Sequence, residues 1–286
     1  MKFAWEKYEE LPIGRRNTLQ VFITNKCNLN CEGCFAKNIM KGEGIHISID
    51  EYKGVIDEFL EKGGEQITLL GGEPLLHPEL KEMLAINKEK GIKTTIYTNG
   101  YFLNKFDKLD FEGVKLRISL YCKSGHTKSI DELPKTNIPF DVCFMVSKNT
   151  SVDELLETAK ILEEEHNCNV FFISSIRELD NARKEFFDDT AITMNLLKYK
   201  ELINDFLNKY IGDMEIHISK RGVFESTKTL PDNKCRFANY FISGKIIQCP
   251  YDVVNKVFQK DYTFNCRNCQ QNNTCLMSKI VVKRKL

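Results

Sequence analysis

TNKCNLNCEGCF, residues 24–35, sets Cys27, Cys31 and Cys34 at the spacing C-x3-C-x2-C. Three thiolates on one short loop suit three corners of a cubane iron–sulfur cluster, whereas tetrahedral zinc and a fully protein-ligated cluster each want a fourth ligand. Such a loop leaves one metal position open, and an open position is where chemistry happens. Just before it, Leu19, Val21 and Ile23 alternate with Gln20, Phe22 and Thr24, which predicts a strand that delivers the cysteines at its C-terminal end.

Working outward, the chain repeats one pattern. Ser48 and Glu51 have capping-box spacing, and Tyr52, Val55, Ile56, Phe59 and Leu60 share a helical face that ends at Gly63 and Gly64. QITLLGG (66–72) is a continuous apolar run of strand length, and Glu73 and Pro74 follow it. A second helix starts at Pro78, carries Leu80, Met83, Leu84 and Ile86, and closes at Gly91. KTTIYTNG (93–100), KLRISLY (115–121), FDVCFMVS (140–147) and NVFFISSI (169–176) read as further strands. Ser151 and Glu154 open a helix through Leu155, Leu156, Ala159 and Leu162, and another covers 194–210.

Strand and helix in alternation require a parallel sheet with right-handed crossovers, and near-continuous apolar strands predict that both faces are covered. An open doubly wound sheet and a partly closed barrel both satisfy the pattern. In either, ligands gather at the C-terminal ends of strands, where the cysteine loop and the run Gly71, Gly72, Glu73, Pro74 both fall. From about residue 214 the texture changes to short strand-like runs around the last five cysteines, which predicts a first domain over 1–213 and a small metal-stapled one over 214–286.

A net charge of +1 over 286 residues gives no general attraction to nucleic acid or anionic membrane, and the basic KRK at 283–285 reads as a solvated tail. No apolar run reaches spanning length and the N-terminus opens no signal peptide, so a cytoplasmic location is expected. Eleven cysteines in a reducing compartment read as metal ligands rather than disulfides.

The cysteine loop followed by Gly71, Gly72, Glu73 and Pro74 resembles the radical S-adenosylmethionine (SAM) superfamily. The resemblance implies a partial (β/α)6 barrel and a [4Fe–4S] cluster on Cys27, Cys31 and Cys34, with SAM chelated at its open iron. It also implies an electron donor such as flavodoxin or ferredoxin, and release of a 5′-deoxyadenosyl radical that takes hydrogen from an unactivated carbon. Cofactor contacts carried over are Gly71, Gly72, Glu73 and Pro74, with Thr98 and Asn99 at the end of the third strand and Ser119 on the fourth. Two glycines at a strand end let backbone approach a ligand, and the Glu73 carboxylate and neighbouring carbonyls then accept from the SAM ammonium. The stretch 176–187 resembles a later ribose-contacting segment, with Asp180 where glycine is usual. Where the family places an aromatic before the third cysteine stands Gly33, and Phe35 one place beyond it is the substitute expected near adenine.

The later pattern, Cys235, Gly244 and Cys249, then Cys266, Cys269 and Cys275, resembles the SPASM/twitch branch, which implies a twitch-like domain with an auxiliary [4Fe–4S] cluster. Cys235, Cys249, Cys266 and Cys269 make the economical ligand set, with Cys275 spare or alternate; read without the resemblance, the same cysteines suit a zinc site. Cys122, Cys143 and Cys168 read as packed small hydrophobes. Cys122 at the fourth strand's end is also a candidate hydrogen-atom donor, and His126 on the same loop a candidate base. The function expected is modification of a peptide or protein by epimerisation, cross-linking or oxidation. A small-molecule dehydrogenase or epimerase acting on an aminocyclitol or sugar is the alternative, and a non-catalytic iron–sulfur or zinc-stapled sensor the alternative of another class. The short chain shows no leader-recognition segment, which weighs against the peptide substrate.

Overall fold

A computed structural model describes residues 8–11, 17–31, 34, 44–122, 129–176, 193–219, 237–241, 245–247 and 279–282. Among them, eleven strands form one sheet: β1 (Tyr8–Leu11), β2 (Thr18–Thr24), β3 (Gln66–Gly71), β4 (Lys93–Thr98), β5 (Val114–Tyr121), β6 (Phe140–Val146), β7 (Cys168–Ser175), β8 (Glu215–Ser219), β9 (Phe237–Phe241), β10 (Lys245–Ile247) and β11 (Lys279–Val282). Four helices are described: α1 (Ile49–Glu61), α2 (Leu80–Glu89), α3 (Val152–Glu165) and α4 (Leu196–Lys209).

The seven strands β2 to β8 are parallel and lie side by side in chain order. A doubly wound sheet reverses its order at a switch point and puts helices on both faces. With no reversal and crossovers of one hand, the helices collect on one face and the sheet curls as a partly open barrel wall. That order decides between the two architectures the sequence allowed. Each side is extended further: β9 runs parallel to β2 and carries β10, while β11 runs antiparallel to β8 and carries β1. β8, with which the second expected domain opens, is therefore a strand of the barrel sheet.

Alternation along the strands sorts side chains by face. Leu19, Val21 and Ile23 of β2, Leu116, Ile118 and Leu120 of β5, and Val142, Phe144 and Val146 of β6 join one core with Tyr52 and Phe59 of α1, Leu155 and Leu162 of α3 and Tyr199 and Phe206 of α4. The opposite face is mixed. Tyr97, Arg117 and Asp141 are register neighbours across β4, β5 and β6, and Ser119, Cys143, Phe172 and His217 form a second row from β5 to β8. Apolar cover on both faces, expected from the strands' composition, therefore holds only for the helix side. The lumen side carries the polar exceptions.

Local chemistry explains the helix ends. The Ser48 hydroxyl accepts from the Glu51 N–H at 3.2 Å and that of Ser151 from the Glu154 N–H at 3.2 Å, capping α1 and α3. Glu51, expected to complete its box by reaching back, accepts from the Tyr240 hydroxyl at 2.7 Å and ties α1 to β9. The connections after β4 and β5 carry only short 3-10 turns among the described residues, so strand and helix do not alternate throughout.

Candidate active site

The site is a knot of backbone at the C-terminal ends of β2, β3 and β4. The Gly72 N–H donates to Thr24 O at 2.7 Å and the Glu73 N–H to Lys26 O at 2.8 Å, zipping the end of β3 onto the root of the cysteine loop. No larger residue fits there. A Cβ on Gly71 would stand 2.3 Å from Thr24 O, and one on Gly72 would stand 2.2 Å from Lys26 O. Gly71 also holds φ at +147°, which glycine alone adopts readily. The paired glycines thus serve first to let two chain segments of the protein meet.

Glu73 fastens the third strand into the knot. It is 1% exposed, and Oε1 accepts from the Thr98 hydroxyl at 2.6 Å and the Leu75 N–H at 3.0 Å, while Oε2 accepts from the Asn99 N–H at 2.7 Å. The Thr98 hydroxyl in turn accepts from the Gly100 N–H at 3.0 Å, and the Asn99 amide donates to Asn28 Oδ1, inside the cysteine loop, at 2.8 Å. A charge-assisted set of this kind is strong because the carboxylate is shielded from water. The carboxylate thereby faces inward, with both oxygens engaged by the protein, where the expectation was that it meets the SAM ammonium. Gly71 and Gly72 are the partly exposed groups at this strand end, and Pro74 is buried at the start of a short 3-10 turn, Pro74–Leu76.

Cys27 is exposed, and Cys31 and Cys34 are partly so. The Cys34 N–H donates to Cys31 O at 3.3 Å, and the Cys27 sulfur accepts from the Leu29 N–H at 3.4 Å. Cys31 packs with Tyr121, Met145 and Ile176, over the C-terminal ends of β5, β6 and β7. Loss of solvent around its sulfur, then the nearby Glu73, Cys31 and Cys34, push the Cys27 thiol up to about 11. Three thiols on one loop at the barrel mouth, none of them fully buried, fit a cubane cluster in which each would bind a separate iron. Among the described residues no three His, Cys, Asp or Glu side chains converge on the position of a single ion. The corners of a cubane bind separate irons and need no such convergence.

The remaining expected residues separate clearly. Ser119 is on the lumen face, partly exposed and in register with Cys143. Cys122 is corrected: it is fully buried in the core under the helices, with its sulfur 3.1 Å from the Ser147 hydroxyl oxygen, and cannot give a hydrogen atom to anything in the lumen. It continues the helix-facing parity of Leu116, Ile118 and Leu120. Cys143, read as a packed small hydrophobe, is buried as expected but on the lumen face, its sulfur 3.7 Å from that of Met145. Phe35, Gly33, His126, Asp180 and its segment, Gly244, Cys235, Cys249, Cys266, Cys269 and Cys275 lie outside the described residues.

Sequence reasoning missed Asn28, which anchors Asn99, and the lumen set Tyr97, Arg117 and Asp141. The signal for the latter was available: Asp141 is the one charge in the apolar run FDVCFMV, and Arg117 of opposite sign stands in the preceding strand.

The model of the radical SAM superfamily matches residues 21–190, more than half of the chain, and the chain belongs to that superfamily. Membership brings a [4Fe–4S] cluster and SAM. Among relatives, the chain is 28% identical over 213 residues to a GTP 3′,8-cyclase of Aquifex aeolicus, covering 69% of this chain and 62% of that one. It is 28% identical over 160 residues to an AdoMet-dependent heme synthase of Methanosarcina barkeri, covering 50% and 46%. The chain thus spans about half to three-fifths of the length of these curated relatives. In fold it is similar to Streptococcus suis SuiB bound to precursor peptide SuiA, with a TM-score of 0.69 at 15% identity, covering 90% of this chain and 64% of that one. It is also similar to anSMEcpe with bound AdoMet, with a TM-score of 0.59 at 15% identity, covering 90% and 87%. Among the described residues no helix is long and apolar enough to cross a membrane.

Proposed function

We propose that this chain is a radical SAM enzyme that modifies a peptide or protein, by epimerisation, cross-linking or oxidation at an unactivated carbon. The observation that carries the radical chemistry is the knot through which Gly72, Glu73, Thr98 and Asn99 fix a three-cysteine loop at the barrel mouth. With cluster and SAM bound, the group supplies reductive carbon–sulfur cleavage and a radical that abstracts hydrogen. Cys27, Cys31 and Cys34 hold the cluster. The backbone of Gly71 and Gly72 lines the SAM site, Ser119 reaches it from the lumen wall, and Glu73 acts from behind by fixing both strand ends. The role near adenine is assigned to Phe35 on its place in the sequence, one residue past Cys34.

The peptide substrate is supported by likeness in fold to SuiB, whose structure holds a precursor peptide, and to anSMEcpe, which is also known with a bound peptide. The sequence likeness to a GTP cyclase and a heme synthase favours the second reading, a small-molecule substrate. Cys235, Cys249, Cys266 and Cys269, with Cys275 spare or alternate, are assigned to an auxiliary [4Fe–4S] cluster of SPASM/twitch type. Reduced thiols and oxygen-sensitive clusters suit the cytoplasm, with flavodoxin or ferredoxin as electron donor.

Anaerobic reconstitution tests the reading. The protein should be brown, hold about eight irons and release 5′-deoxyadenosine on reduction with SAM. Cys27→Ala should abolish that release, whereas Cys266→Ala should lose about four irons and keep some uncoupled cleavage. A colourless zinc protein that makes no 5′-deoxyadenosine sinks the proposal.

A further inference from the structure

Below the barrel mouth the lumen face carries a charged group that the radical-forming site does not use. Arg117 of β5 is 8% exposed. Its guanidinium lies between two rings, 5.4 Å from the centre of Tyr97 and 5.7 Å from that of Phe172. One terminal nitrogen donates to the Tyr97 hydroxyl at 3.0 Å, and the other reaches a single Asp141 oxygen at 3.3 Å. The same oxygen is held more closely, at 2.6 Å, by the Lys115 ammonium. The Nε–H of Arg117 is buried and has no partner among the described residues.

These facts leave two deficits in one place. Among the described residues, buried Arg117 shares its one carboxylate, Asp141, with half-exposed Lys115, which holds it more closely; the next described carboxylate on this face, Glu215, is engaged by His217. A buried guanidinium donor without an acceptor is costly, and the planar edge formed by Nε and a terminal nitrogen matches the two oxygens of a carboxylate. The stacked rings fix that edge in place. An ion pair that merely closed the barrel floor would have no need of a spare donor.

We infer that Arg117 is a specificity residue that receives a substrate carboxylate in the lumen. The inference rests on the reading of this barrel as the chamber of a radical SAM enzyme. Arg117 lies four residues below Tyr121, which packs against Cys31. Four residues of strand span roughly 13 Å. The carboxylate so held therefore stands several bonds from the carbon that reacts at the mouth. An acidic side chain or the C-terminus of a peptide meets that condition.

Glutarate, with uncharged glutaramide as control, is the probe, titrated calorimetrically into the reconstituted full chain without SAM or reductant. Glutarate should bind and glutaramide should not. Arg117→Gln should weaken glutarate at least tenfold, while Asp141→Asn, which removes the competing carboxylate, should tighten it several-fold. Equal binding to the wild type and to an Arg117→Gln variant with an unaltered circular dichroism spectrum overturns the inference. Should Arg117→Gln fail to fold, Asp141→Asn decides: affinity no tighter than wild type overturns it. Neither readout depends on SAM cleavage, so this test can fail while the enzyme reading stands, and the reverse.

Discussion

His77 pins the strap that backs the cysteine loop. Its Nε2–H donates to Ile47 O at 3.0 Å, its Nδ1 accepts from the Glu79 N–H at 3.1 Å, and the strap's Ile47 N–H donates to Ile23 O at 2.9 Å. Burial, with His46 alongside and against the pull of the Ile47 carbonyl, lowers His77 from 6.5 to about 4. Because the folded value lies below the unfolded one, the folded state binds fewer protons between them. The stability is complete above 6.5 and is lost as pH falls towards 4. Moving from pH 7 to pH 5 should therefore remove about 2 kcal/mol, read as a lower urea midpoint, and His77→Gln should flatten that slope. His46, also lowered by burial and by Lys26, adds loss of the same sign. The histidine's identity was legible in the sequence, but its role was not, since Ile47 lies 30 positions away. Cys122 and Cys143 make the same point at residue scale: both thiols were legible in the sequence, and only strand parity in the folded sheet told lumen from core.

Among the elements, the junction of β2 and β3 has least tolerance. Gly72→Ala must move backbone, because the added carbon meets Lys26 O rather than the end of a flexible side chain. It should cost about 1–3 kcal/mol and lower the iron bound on anaerobic reconstitution, because Lys26 adjoins Cys27. Gly54→Ala is the contrast. That helix position has nothing within 4 Å of the added carbon, so the change should raise stability by roughly 1 kcal/mol and leave iron content unchanged. A thermal melt with an iron assay reads both variants. Strands β2 to β7 and all four helices were legible with small shifts at their ends, because period and caps are local signals. The reach of Glu51 to Tyr240 was not, because the partner lies 189 positions away.

At the scale of the molecule, the sheet depends on segments from both ends of the chain. β8 buries Ile216 and Ile218 against the shared core, β9 covers the edge of β2, and β11 covers that of β8. A fragment ending at residue 213 loses all three and bares two strand edges, so it should aggregate on size-exclusion chromatography instead of folding as a barrel. A monodisperse, cooperatively melting fragment would contradict that expectation. The sequence by itself determined the radical SAM membership, the three-cysteine loop and the strand-and-helix texture, since each rests on residues close together in the chain. Only the tertiary structure decided that the sheet winds one way, that Glu73 faces inward, and that Arg117 and Asp141 meet in the lumen. Those features depend on which strands become neighbours and which face each side chain takes, and both are settled by pairing across long stretches of chain.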